Sequence, residues 1–203
     1  MATIGHKNLT GTQLHEPKGI AAAAANKLYV SNGSGSGTWQ KITADQLTGS
    51  GNPYGGQLFH LQHQESSGVS GGTFTSGSWA KRTLNTTLTN EISSASVASS
   101  VLSLPAGTYE ADALAIAYRV NGHQLRLYNT TDGSTLLVGL TGRNDSADTQ
   151  NSIAHVRGRF TLSGTKNVEL QHQGATTRAA DGFGIAASLN TEVYVDIQIR
   201  KVA

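Results

Sequence analysis

Three of the seven histidines are the first candidates for chemistry. His60, His63 and His172 lie in segments that share a tetrapeptide, Leu61-Gln-His-Gln64 and Leu170-Gln-His-Gln173. Both segments read as extended chain, where residues three apart point to opposite faces, so His60 and His63 cannot hold one ion as His-x-x-His does on a helix. His63 and His172 could meet if their strands are neighbours. A metal would still need a third ligand, which a threefold axis could supply by repetition. Glutamine and neutral histidine both donate and accept hydrogen bonds, so the simpler reading is a polar strand face satisfied across a subunit interface. His63, Gln171, His172 and Tyr194 are therefore expected at a trimer interface, with no metal and no cofactor.

Catalytic carboxylates would have to come from Glu110, Asp112, Asp132, Asp145, Asp148, Glu169, Asp181 or Asp196, most of them in turns or on exposed strand faces. Serine, histidine and aspartate in so serine-rich a chain form no informative triad, no Gly-x-Ser-x-Gly elbow is expected, and no enzyme is expected. Arg119, Arg126, Arg157 and Arg159 lie in or beside strands. Their usual task is cross-strand or intersubunit pairing, though such an arginine could also hold an anionic sugar.

The elements that must position these groups are strands. In residues 192–202, Val193, Val195, Ile197 and Ile199 alternate with Tyr194, Asp196, Gln198 and Arg200, the period of a strand with one buried face. From Gln57 onward strand signals follow at short spacing: 58–64, 78–84, 92–104, 108–120, 123–128, 134–140, 153–162, 167–173 and 183–189. Asn121-Gly122 and Thr131-Asp-Gly133 mark turns between them. No helical period intervenes, which predicts an all-β sandwich, a jelly roll ahead of an immunoglobulin-like arrangement. The stretch 111–117 is small or apolar on both faces apart from Asp112, as expected of a strand covered on both sides, and points to oligomerisation.

Residues 1–57 read differently. Ile4, Leu9, Leu14 and Ile20 are too sparse to repay the entropy of ordering this segment alone, so it is expected to be an arm ordered by a partner. A short strand at 27–30 precedes a Gly/Ser turn containing Gly33, Gly35 and Gly37, and Trp39 with Ile42 suggests a second pairing or docking point. A linker, 47–56, leads to a domain spanning 58–203. The arm carries Lys7, Lys18, Lys27 and Lys41 against Glu16 and Asp45, whereas the net charge of the whole chain is only +2. Without a basic run, nucleic acid is a poor partner. With no cysteine, disulfides and thiolate sites are excluded. No window approaches the roughly 20 apolar residues of a membrane span, and no basic-then-apolar leader opens the chain, so a soluble protein made in a cytoplasm is expected.

Several of these segments together carry a resemblance. Ser67-Gly-Val-Ser-Gly-Gly-Thr-Phe-Thr-Ser-Gly-Ser-Trp79 with 82–86, Leu104-Pro-Ala-Gly-Thr-Tyr109, residues 118–129, Glu169-Leu-Gln-His172 and Gly182-Phe-Gly184 resemble a domain of tailed-bacteriophage virion proteins. That domain looks like the trimeric jelly roll of the tumour-necrosis-factor and C1q class. The arm, through 9–19 and 29–39, is similar to N-terminal segments that attach phage structural proteins to a larger particle. The resemblance implies a homotrimeric capsid decoration or cement protein, docked on the major capsid protein at the exterior of the virion and assembled in the host cytoplasm. Leu14, His15, Glu16, Pro17, Lys18, Tyr29 and Trp39 are the expected docking residues, Pro17 stiffening the turn and the aromatics supplying buried area. The alternatives are a tail- or head-fibre tip binding a host surface glycan through loops 142–150 and 173–182, and a free lectin. The linker of about ten residues is short for a fibre shaft, which favours a compact decoration.

Overall fold

The computed structural model describes residues 28–31, 37–40, 56–145, 147 and 149–203, and the chain divides into two compact units, residues 1–52 and 53–203. In the first unit β1 (Leu28–Ser31) pairs antiparallel with β2 (Gly37–Gln40). The register sets Tyr29 opposite Trp39, and their rings meet edge to face with centroids 5.5 Å apart. Such a pair adds about 0.5–1.5 kcal/mol to a hairpin that is marginal alone.

Among its described residues the second unit has eleven strands: β3 (Gln57–Glu65), β4 (Ala80–Lys81), β5 (Thr86–Asn90), β6 (Ser96–Ala98), β7 (Val101–Leu104), β8 (Gly107–Ala117), β9 (Asn121–Asn129), β10 (Ser134–Asn144), β11 (Ser152–Leu162), β12 (Lys166–Gly174) and β13 (Glu192–Lys201). They form two antiparallel sheets, in the orders β11-β8-β13-β3-β5 and β10-β9-β12-β7-β6, with β4 added on β12. The long strands pair in nested fashion, β3 with β13, β7 with β12, β8 with β11 and β9 with β10. That is one long ribbon, closed at the β9–β10 hairpin and wound into a jelly roll, so the fold expected from strand spacing is the fold observed. Among the described residues there is no helix.

One apolar cluster fills the space between the sheets. Phe59, Leu61, Ala111, Ala113, Ala115, Val195, Ile197 and Ile199 come from the first sheet; Leu102, Leu104, Leu125, Leu127, Val168 and Leu170 come from the second. Tyr109 stacks on Phe160 at 5.4 Å, and its hydroxyl donates to Pro105 O at 2.6 Å, so the ring is buried without an orphaned polar atom.

Four expectations need correction. The alternation through Val193 breaks at a bulge between Val193 and Val195, which leaves Val193 38 % exposed and turns Tyr194 inward at 2 %. An extra residue reverses the facing of everything before it. The stretch 92–104 is two strands rather than one, because Ser99 and Ser100 take positive φ (48° and 62°) and fold β6 back on β7. Segment 78–84 pairs only over β4, and 183–189 makes no strand. The latter is held instead by the Glu192 carboxylate, which accepts backbone N–H bonds from Gly68, Ala187 and Ser188 at 3.2, 3.0 and 2.6 Å.

Candidate functional site

Inside the sandwich, beyond the apolar cluster, lies a polar centre organised by Arg82. The residue follows β4, where its backbone N–H donates to Leu170 O at 2.8 Å, and its side chain enters the interior with no exposed surface. Nη1 donates to Ile116 O at 2.9 Å and to His172 Nδ1 at 3.3 Å; Nη2 donates to Tyr194 O at 3.1 Å and Phe183 O at 3.3 Å. The guanidinium also lies 4.0 Å over the Phe183 ring. Its charge is thus met by carbonyl dipoles, an imidazole and a π face rather than by a carboxylate. Burial lowers its pKa to about 9, which still leaves it protonated at neutral pH.

From this cation a chain of hydrogen bonds leads outward. His172 Nε2 is 3.0 Å from His123 Nδ1, and His123 Nε2 is 2.5 Å from Ser152 Oγ. Burial first, and then the Arg82 charge, pushes His123 down to about 4 and His172 well below its ordinary value, so both rings are neutral at pH 7. Neutrality fixes the tautomers. Arg82 can only donate, so His172 accepts at Nδ1 and carries its proton on Nε2; His123 must then accept at Nδ1 and carry its proton on Nε2. Every donor points from Arg82 toward Ser152. A serine nucleophile needs the reverse, a histidine nitrogen that accepts its proton. The centre therefore polarises Ser152 as a hydrogen-bond donor and does not activate it as a base-assisted nucleophile.

His63 approaches the same cation from the first sheet. It is buried, its ring is 5.7 Å from that of Tyr194, and its Nε2 is 3.1 Å from Glu65 Oε1. Burial lowers its pKa, partly opposed by the Glu65 contact. Among the described residues His63 Nδ1 and Arg82 Nε have no hydrogen-bond partner.

The structure places His63, Gln171, His172 and Tyr194, expected at a trimer interface, as buried residues of a single chain. His63 and His172 belong to different sheets, do not pair, and are enclosed within one chain with Tyr194, whose hydroxyl donates to Val69 O at 2.8 Å. Gln171 points to the other face of β12, where its own chain covers it: Arg126 Nε donates to its Oε1 at 2.8 Å, and Arg126 is flanked by Trp79 and Tyr128 at 4.3 and 4.1 Å. Surface enclosed by the chain itself is not available to a second copy. Of the expected docking residues, Leu14, His15, Glu16, Pro17 and Lys18 lie outside the described residues, while Tyr29 and Trp39 form the ring pair of the β1–β2 hairpin.

One expectation is corrected here, the absence of a Gly-x-Ser-x-Gly segment, and one pair of residues carries more than the sequence reading gave it. Gly68-Val-Ser-Gly-Gly72 spells Gly-x-Ser-x-Gly, but no helix follows it as in a nucleophile elbow, and Ser70 Oγ accepts the Ala186 N–H at 3.2 Å. His123 and Ser152 were not singled out for chemistry, although His123 continues the inward-facing row of Leu125 and Leu127 on β9.

The class defined by this connectivity is the two-sheet jelly roll. No protein-family model matches the chain, and no curated protein matches it. Solved structures similar to it include the globular domain of zebrafish complement 1qA protein, at 13% identity and TM-score 0.48, covering 73% of this chain and 98% of that one. Murine APRIL gives 10% identity and TM-score 0.47 over 71% of this chain and 98% of that one. The PRD1 vertex protein P5 gives 13% and 0.45 over 73% and 99%.

Proposed function

We propose that the chain is a structural virion protein of a tailed phage, a homotrimeric capsid decoration or cement protein without catalytic activity. It docks on the major capsid protein through its N-terminal arm, at the outside of a head assembled in the host cytoplasm. The observation that carries self-association is an apolar edge on the jelly roll. Val138 and Leu140 on β10 and Ile153 on β11 are 65%, 70% and 62% exposed. The two strands abut where the sheets meet, and a side chain at Gly139 would strike His155 O. The outer face of β8 offers a second apolar surface, with Leu114 exposed beside the Glu110–Arg159 ion pair and the Asp112–His155 hydrogen bond. An edge and a face are different patches, so their contact is heterologous and must close into a ring. Three is the number implied by the resemblance to phage virion jelly rolls. A ring of three presents three arms, each with its Tyr29–Trp39 hairpin, and weak individual contacts then add as avidity.

Two experiments test this reading. Purified chain, intact and lacking residues 1–50, is offered to capsids stripped of accessory proteins, with the mass of both forms measured in solution. Saturable binding by an intact trimer, lost on truncation while the trimer persists, is the expected result. A folded trimer that leaves capsids bare would refute the decoration role. Leu140→Asp with Ile153→Asp is expected to give a folded monomer, because fully burying a side chain of this size contributes about 1.5–3 kcal/mol. A trimeric mass for the double variant would place the interface elsewhere.

A further inference from the structure

The Arg82 chain ends at a cavity. Between the end of β10 and the start of β11 a space of about 300 Å³ is lined by Arg143, Asn144, Thr149, Gln150, Asn151 and Ser152, the low end of the range for small-ligand sites. Every lining residue is polar, which excludes an apolar ligand. Two of the six are fixed by the fold. Asn144 accepts the Val120 N–H at 3.2 Å and donates to Ala117 O at 3.0 Å; Asn151 exchanges both amide bonds with the Ile185 backbone at 3.0 Å. Among the described residues the side chains of Arg143, Thr149 and Gln150 have no partner, and Ser152 has none beyond His123. The neighbouring Asp145 carboxylate accepts the Ala147 N–H at 3.2 Å within the loop.

We propose that this cavity binds a carboxylate-bearing saccharide, with Arg143 holding the carboxylate and Thr149, Gln150 and Ser152 meeting ring hydroxyls. A planar guanidinium takes a carboxylate in two parallel bonds. The hydroxyl and amide groups around it each donate and accept, matching a polyol. Ser152 is the directed member. Its oxygen accepts from His123, so its own hydrogen is left to point at the ligand, and the aligned donors behind it, starting from an unneutralised buried cation, strengthen that donation. His172 and Arg82 act through Ser152 as positioning residues and touch no ligand. The site does not depend on what the arm docks on.

The test titrates the full chain with glucuronate, glucose and inorganic phosphate, followed by amide chemical shifts. Glucuronate is expected to bind saturably and about tenfold more tightly than glucose or phosphate, with shifts centred on 143–152. Arg143→Gln should remove that preference, leaving glucuronate and glucose within about twofold of each other, and Ser152→Ala should weaken both sugars several-fold. Arg143 is exposed and Ser152 half-buried, and circular dichroism checks the fold of both variants. Absence of saturable glucuronate binding, or binding undiminished in Arg143→Gln, overturns the proposal; phosphate binding as tightly as glucuronate reduces the cavity to a plain anion site and overturns the saccharide assignment. The imidazole nitrogen shifts of His123 read the relay directly. A proton on Nε2 is expected, and one on Nδ1 would overturn the role given to Ser152.

Discussion

Arg82→Leu should lower unfolding stability by about 3 kcal/mol, a large part of the roughly 5–15 kcal/mol that holds a domain of this size. Two effects oppose each other. Removing the guanidinium recovers the desolvation cost of a buried cation, several kcal/mol in proteins. It also strands the acceptors that the cation now satisfies, the carbonyls of Ile116, Phe183 and Tyr194 and the Nδ1 of His172, at about 1–3 kcal/mol each. Four acceptors outweigh one desolvation, so the sign is destabilising. Arg82→Lys should lose nearly as much: one ammonium keeps the charge but cannot reach groups on four segments that a planar fork spans. Urea midpoints of both variants measure this. A second readout is electrostatic, since the Arg82 charge helps hold down the pKa values of His63, His123 and His172; in Arg82→Leu all three should titrate at higher pH. A leucine variant as stable as the parent would show that the cation is tolerated rather than organising.

The polar centre was partly legible in the sequence. Period two already places Phe59, Leu61 and His63 on one face of β3, and does the same for Val168, Leu170 and His172 on β12 and for His123, Leu125 and Leu127 on β9. Each histidine continues an apolar row, which marks it as inward-facing. Reading histidine and glutamine by polarity, as surface residues awaiting a partner subunit, hid that signal, because polarity gives no hint that a buried arginine waits inside to satisfy them. Arg82 itself carries no local mark; only the path of the chain after β4, short and paired on β12, swings it between the sheets. Tyr194 failed for another reason. Its row looks regular through Val193, Val195, Ile197 and Ile199, and a bulge leaves no trace in such a pattern. The jelly roll was legible because it depends on strand number and spacing, which survive these local errors. The apolar edge of β10 and β11 was not, since Val138 and Leu140 look like ordinary core residues until the neighbouring register shows them outside.

Acid should loosen this fold well before its carboxylates are protonated. In the unfolded chain histidine titrates near 6.5, whereas in the folded chain burial holds His123 down to about 4 and moves His63 and His172 in the same direction. Between these values the unfolded state binds protons that the folded state refuses, so stability is fully present above about pH 6.5 and falls as pH drops through the window. For His123 the interval amounts to about 3 kcal/mol. His172, flanked by Arg82 and His123, adds loss of the same sign; His63 adds less, because its contact with Glu65 favours the charged ring. Glu192 extends the decline downward. Its carboxylate is stabilised by the N–H groups of Ala187, Gly68 and Ser188, which lowers its pKa from 4.5, so its contribution is present above the ordinary carboxylate range and lost as pH falls through the folded value. Urea midpoints measured from pH 8 to pH 4 should therefore be flat above pH 7 and drop steeply below 6.5. A midpoint that stays level from pH 7 to pH 5 would mean that the imidazoles take protons without cost, and hence that they are not enclosed around a cation. His123→Gln separates the sources of the slope: it cannot titrate, so it should flatten the upper part of the fall while leaving the Glu192 part below pH 4.5 in place.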